Sequence, residues 1–338
     1  MMRTRPASYG IVCASFLLGS CATKSPHVAE PKIEAAPPAS RVEKVREPLE
    51  VTPLELHFSG LRGEGQASES VAVKNTGSDA VQVSDLRVVG AEANTFKIVN
   101  VLLLPAVLAP GASFSFSVGF EPSATAEPGV HHARVRIVRN QDDDGPPCDL
   151  TGLVTKSKNP ADEPPLHQIL EALGYEVDVG GTSLVLPADA RGDEVKAPLF
   201  QRAKPGSVGL YLIARYTASE ATSFGYYTVE TGKPSYKSVG SAAQGQNHTL
   251  NPELEGDSET SFEPGKSRFG LYVKARKRRF YSDDGLNSGP PKHVAKVFPL
   301  LSRGRTPVQD AYVVAFDEDG DRDYQDHVFM LWNVQPTR

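Results

Sequence analysis

Between two runs that read as buried strands, the chain carries Asp317-Glu318-Asp319-Gly320-Asp321-Arg322-Asp323-Tyr324-Gln325-Asp326, six carboxylates in ten residues. Two like charges about 4 Å apart repel by about 4 kcal/mol at an effective dielectric near 20. A loop holding several such pairs either stays splayed in water, as a solvated acidic hairpin tip, or closes on a hard cation. Calcium accepts about six to eight oxygens in irregular geometry, so it suits this set better than magnesium. The loop is not an EF-hand. Gly320 falls two residues early if Asp317 opens the motif, Val328 stands where the bidentate Glu belongs, and the flanks are strands.

Other chemistry is sparse. There is no GxSxG elbow, P-loop, dinucleotide fingerprint or HExxH pair, so the chain reads as a non-enzyme. His131 and His132 are adjacent on an expected strand and face opposite sides, which prevents joint chelation. His293 and His327 could approach in space and make a zinc site, but no cysteine or HxxxH spacing supports zinc, and they read first as ladder or surface histidines. Lys274, Arg276, Lys277, Arg278 and Arg279 form a basic run. It reads as a charged edge strand, as a contact for anionic glycan, or as counter-charge to the acidic loop.

The elements that must position these groups are β-strands. With 338 residues, two domains are expected at about 100–200 residues each. Gly 29 and Pro 27 against Met 3 and Trp 1 favour a turn-rich β protein. A net charge of −5 argues against nucleic acid as a partner. From Val51 onward, Val71/Val73, Val81/Val83, Leu86/Val88, Phe96/Ile98, Phe114/Phe116/Val118/Phe120 and Val135/Ile137 alternate with period two, split by turn residues. About seven short strands in about a hundred residues suit an immunoglobulin-like sandwich. Leu166, Ile169, Leu170 and Leu173 form a helical stripe that Gly174 should cap. Strand-like runs resume at 183–186, 208–216, 225–229, 268–273, 293–298, 312–316 and 328–334. The expected fold is all-β, two β-sandwich domains with one short helix opening the second.

The N-terminus reads as an export signal. Arg3 and Arg5 precede an apolar run too short to span a bilayer, ending in Leu18-Gly19-Ser20-Cys21. This resembles a bacterial lipobox, which implies cleavage after residue 20, lipidation of Cys21 with diacylglyceryl and palmitate chains, and a membrane partner reached through that anchor. Ala22 after the cysteine resembles the outer-membrane sorting default of Gram-negative lipoproteins. Loss of Arg3 and Arg5 takes the charge from −5 to −7. Cys148 is then the one cysteine outside the signal and anchor, too few for an intramolecular disulfide, and it reads as a small buried hydrophobe. Residues 21–50 are Pro-rich and polar and read as a disordered tether. The first sandwich is assigned to 51–157, and the second, after a polar hinge, to 165–338.

Two resemblances sharpen this. Phe58, Val73-x-Asn75-x-Gly77, Phe96, Pro110-Gly111, Phe120-x-Pro122 and Leu150-x-Gly152 resemble the Hydin-type (ASH, choice-of-anchor) immunoglobulin-like domain. That family implies a scaffold or binding spacer without catalytic residues. Phe269-Gly270-x-Tyr272, Ser282-Asp283…Leu286-Asn287, His293 and Phe316-Asp317 with Asp321, Asp323, Tyr324 and Asp326 resemble a bacterial C-terminal extracellular β domain of otherwise unknown function. It implies a calcium loop with Asp317, Asp319, Asp321, Asp323 and Asp326 as ligands, and Asp283 and Asn287 as donors from a neighbouring loop. Gln325 stands where Asn is usual, and Glu318 where a second Asp is common.

The expected function is that of a non-enzymatic cell-envelope lipoprotein, adhesive or structural, binding extracellular polysaccharide or an envelope protein through a calcium-stabilised β domain. The alternative is a carbohydrate-binding or carbohydrate-active surface protein using Tyr226, Tyr227, Tyr281 or Trp332 as stacking platforms. Aromatics alternating into the core would count against it, and Trp332 is expected there.

Overall fold

A computed structural model describes residues 48–64, 68–100, 103–139, 143–217, 222–229 and 233–337. The signal segment, Cys21 and nearly all of the expected tether lie outside the described residues. No helix among the described residues is long and apolar enough to cross a membrane.

The period-two runs become strands, and the fold is all-β. Leu49–Thr52, Glu69–Asn75, Ser113–Phe120 and Phe96–Val99 form one sheet in that order. Glu55–Leu61, Cys148–Thr155, Gly129–Arg139, Val81–Val89 and Ala106–Leu108 form the second, with Asp143–Asp144 paired to Gly129–Arg139. In chain order this is the A-B-E-D and G-F-C arrangement of an immunoglobulin-like sandwich. Glu55–Leu61 runs parallel to Cys148–Thr155. Its first strand begins at Leu49, two residues inside the stretch read as tether.

The signature residues are explained by packing. Phe58, Phe96 and Phe120 form an aromatic triad with centroids 5.2–6.0 Å apart. The Phe120 ring packs against Gly152, where an added Cβ would sit 2.2 Å from the ring. Asn75 is fully buried; its amide donates to the Asp79 and Leu108 carbonyls at 2.7 and 2.9 Å and its oxygen accepts from Gly77 N–H at 2.9 Å. It thus stitches the turn to the neighbouring sheet. Buried groups left unpaired cost about 1–3 kcal/mol each, so Asn75→Ala should lose about 3 kcal/mol in denaturant unfolding followed by circular dichroism. Val81/Val83 and Leu86/Val88 are not two runs. They belong to one strand whose register shifts between Val83 and Asp85, a bulge that flips the inward phase.

The second sandwich pairs Pro234–Ser241, Ser223–Val229, Phe269–Ala275, Leu199–Arg202 and Val334–Thr337 in one sheet, with Arg278–Tyr281 added beside Phe269–Ala275. The other sheet runs Thr249–Leu250, Val208–Arg215, His327–Trp332, Thr306–Phe316 and Ala295–Ser302, with Ser261–Phe262 beside Val208–Arg215. That second sheet is covered on both faces. Phe329 and Leu331 enter the core between the sheets, whereas Val328 and Met330 pack beneath the helix Leu166–Ala172 together with Leu153 of the first sandwich. The helix ends as expected: Gly174 takes φ +80°, and Gly174 and Tyr175 N–H reach back to the Glu171 and Leu170 carbonyls.

Several expectations are corrected. Residues 183–186 form no strand; Leu186 simply plugs the core under the helix while its N–H bonds Arg322 O. The run 328–334 is broken at Asn333 (φ 64°), whose amide binds the Lys204 and Ser207 carbonyls and moves the chain from one sheet to the other. The basic run is not one strand. Arg276 and Lys277 (φ 49° and 67°) turn a hairpin. Trp332 is not in the core but half exposed, opposite the small residues Gly209 and Ala311.

Candidate metal centre

The acidic loop leaves strand Thr306–Phe316 and returns into His327–Trp332, which pair from Ala311↔Trp332 to Phe316↔His327. It does not splay into solvent. Asp317, Glu318, Asp323, Gln325 and Asp326 are all buried. Gly320, Arg322 and Tyr324 each take positive φ, coiling the backbone so that Asp317 and Asp323 turn inward while Asp321 stays exposed at the rim. At Gly320 the choice is forced, since a Cβ would meet Pro291 Cδ at 2.5 Å. Asp317 accepts Gly320 N–H at 2.5 Å and Arg322 N–H at 2.9 Å. Asp326 closes the base by accepting Glu318 N–H at 2.6 Å. Tyr324 donates its hydroxyl to His293 O at 3.0 Å.

This coil brings carboxylate oxygens of Asp317, Asp321 and Asp323 within 4.8 Å of one another. Among the described residues none of the three forms an ion pair with Lys, Arg or His. The cations go elsewhere. Arg276, on the hairpin turn, pairs with exposed Asp319 and reaches Glu318 at 3.4 Å, so the counter-charge reading of the basic run holds for this residue. The fully buried Arg215 lies near Glu318 and Asp326 and donates to Gln246 O at 2.7 Å.

The electrostatics follow from burial. Burial, then the Asp321 and Asp317 charges, pushes the Asp323 carboxyl up to about 8. Asp326 is raised well above the usual carboxylate range by burial and then by Asp323 and Glu318, and Asp317 is raised mainly by burial. A divalent cation would reverse this by rewarding the ionised form. The oxygen donors, their mutual approach and the lack of a neutralising side chain suit calcium.

Three of the seven expected ligands converge. Asp319 is taken by Arg276, and Asp326 holds the loop base. Asp283 caps a short turn through Gly285 N–H at 2.8 Å. The Asn287 amide is spent on Tyr281 N–H and on the Tyr281, Asp283 and Lys292 carbonyls, so neither residue joins the triad. Glu163 escaped sequence reading altogether. It is buried 162 positions from Gln325, whose amide it accepts at 2.7 Å. Burial and then Asp321 push Glu163 up to about 7, while burial lowers its neighbour His248 to about 4. Their 3.2 Å contact is therefore one of neutral groups near pH 6 rather than an ion pair.

The histidines have separate partners. His293 bonds Glu194 at 2.9 Å and Asp284 at 3.0 Å, whereas buried His327 bonds Thr222 at 3.1 Å. His131 is buried and His132 exposed, on opposite faces as expected. Cys148 is buried and its thiol pushed up to about 12, chiefly by desolvation, which leaves it unreactive. Of the candidate stacking aromatics, Tyr226 is buried against Phe262 at 4.1 Å and Tyr227 is buried. Tyr281 is half-buried with its hydroxyl 3.0 Å from that of Tyr236, and Trp332 faces water.

No protein-family model matches the chain, and no curated protein matches it significantly. Among solved structures, an ASH/PapD-like domain of human CEP192 is 12% identical, covering 39% of this chain and 99% of that one, with a TM-score of 0.24. The E. coli chaperone DraB is 10% identical over 69% of this chain and 96% of its own, TM-score 0.23. A family 123 glycoside hydrolase from Clostridium perfringens is 11% identical over 32% of this chain, TM-score 0.23, and the match spans 24% of that enzyme. At these scores none of the three carries over a ligand or an activity.

Proposed function

We propose that the chain is a non-enzymatic lipoprotein of the bacterial cell envelope. In this reading lipid on Cys21 anchors it to the outer membrane, the Pro-rich segment lifts the sandwiches away, and the second sandwich takes a calcium ion at Asp317, Asp321 and Asp323. The ion supplies the charge that lets the buried carboxylates ionise. The protein side sets the coil, buries Asp317 and Asp323, and keeps Arg276 and Arg215 on other acids. The rigid module so formed serves adhesion, envelope organisation or binding of extracellular polymer.

The observation that carries this reading is the approach of three carboxylates to within 4.8 Å with no ion pair to any of them among the described residues. Isothermal titration of the full-length chain in detergent with calcium should give about one ion per chain. The Asp323→Ala/Asp326→Ala variant should give none. At a free concentration a hundredfold above Kd, the ion should add about 2.7 kcal/mol to unfolding. Absence of heat together with an unchanged unfolding curve would remove the metal from the proposal.

A further inference from the structure

Three oxygens are fewer than calcium takes, so the groups next to the triad decide how the site would be completed. The neighbour is not another loop residue but the connector between the sandwiches. Asn159 caps the turn Pro160–Asp162 by accepting Ala161 N–H at 3.1 Å. Asp162 is held by Lys156 at 2.6 Å and Ser157 at 2.8 Å. Pro164 and Pro165 then fix the backbone leading into the helix Leu166–Ala172. This braced turn drives the next side chain, Glu163, out of solvent and against the acidic loop.

There the Gln325 amide nitrogen is shared between two carboxylates, Glu163 Oε2 at 2.7 Å and Asp323 Oδ2 at 3.1 Å. Gln325 is fully buried, and its amide oxygen Oε1 has no hydrogen-bond partner. A buried, unpaired carbonyl-type oxygen costs free energy of its own and is a ligand of the kind calcium takes. It is an observation separate from the acidic cluster. The nitrogen is the atom that faces Glu163 and Asp323, and half a turn of the amide would set the oxygen in its place between the two carboxylates.

We propose that Glu163 and the Gln325 amide oxygen complete the cation site, so that one calcium ion fastens the 156–165 connector to the second sandwich. This rests on the calcium reading of the triad and extends it from a loop-stabilising ion to one that controls inter-sandwich packing. Burial and then the Asp321 charge raise the pKa of Glu163, and Glu163 is among the charges that raise Asp323, so connector and acidic loop lie in one another's field.

The test is calcium titration of the full-length chain and its Glu163→Gln variant in detergent, with hydrogen exchange read by mass spectrometry. Wild-type amides in 156–165 should exchange several-fold more slowly with calcium, as should those in 317–326. Glu163→Gln should bind at least tenfold more weakly. At saturating calcium it should still protect 317–326 but not 156–165. Wild-type affinity in Glu163→Gln overturns the inference, and so does a wild-type connector whose exchange ignores calcium while the loop becomes protected; in both cases the triad site itself survives. Failure of the wild-type chain to bind calcium at all overturns both readings. The wild-type exchange comparison decides the question even where the variant does not fold.

Discussion

Freed of divalent cations, the second sandwich should lose stability as the pH is raised from about 6.5 to 8.5. A carboxyl whose folded-state pKa lies above its unfolded value stabilises the fold while protonated, and that stability is lost as pH rises through the folded pKa. Asp323, raised from 3.8 to about 8, is the main group, and Asp326 is raised in the same direction. A shift of that size is worth on the order of 5 kcal/mol across its whole span from about pH 4 to 8, of which about 2 kcal/mol falls above pH 6.5. His293, raised by its bond to Glu194, loses stabilisation in the same window. Below pH 6.5 the signs mix. His248, lowered to about 4, and His327, also lowered, gain stability as pH rises there and oppose Glu163, raised to about 7. The chain has one tryptophan, Trp332, so its fluorescence during urea unfolding reports on this sandwich alone. With saturating calcium the carboxyl part of the decline should vanish and only that of His293 remain, and calcium affinity should rise with pH because protons compete for the same oxygens. A flat profile in metal-free buffer would mean that these carboxyls are already ionised and solvated.

What the sequence disclosed and what it hid divide along one physical line. Alternation and turn chemistry are local, so the first sandwich and its Asn75 turn were legible, as was the Gly174 cap. The acidic loop was legible because its carboxylates are neighbours in the chain. Everything that completes the site arrives by tertiary folding. Glu163 sits before two prolines in a polar segment, and Arg215 ends an apolar strand; nothing nearby marks either as a partner of residues 317–326. Asp283 and Asn287 had the right chemistry but were consumed by their own turn. Trp332 was misread because the strand His327–Trp332 is buried on both faces up to its last residue, which erases the alternation that would tell inside from outside.

Arg215→Met should be the most damaging single substitution in the second sandwich, at about 3–5 kcal/mol, because it removes the buried cation beside Glu318 and Asp326 and leaves Glu318 only the half-exposed Arg276. Arg215 is fully buried at the end of strand Val208–Arg215. Its guanidinium donates to Gln246 O at 2.7 Å and to Thr222 Oγ1 at 3.2 Å, and the Glu318 and Asp326 charges lie beside it. Glu318 is held in turn by Thr217 Oγ1 at 2.6 Å. Methionine fills much of the volume but supplies neither charge nor donors. Arg215→Lys keeps the charge but lacks the planar fork that serves two acceptors, so it should recover only part of the loss. If the penalty is the stranded acid, neutralising that acid should relieve it. Glu318→Gln in the Arg215→Met background should then regain about 1–3 kcal/mol in urea unfolding at saturating calcium, a coupling that strictly additive variants would not show. Glu318 lies outside the Asp317–Asp321–Asp323 triad, so the double variant should still bind calcium, which separates the buried arginine's structural role from the cation site next to it.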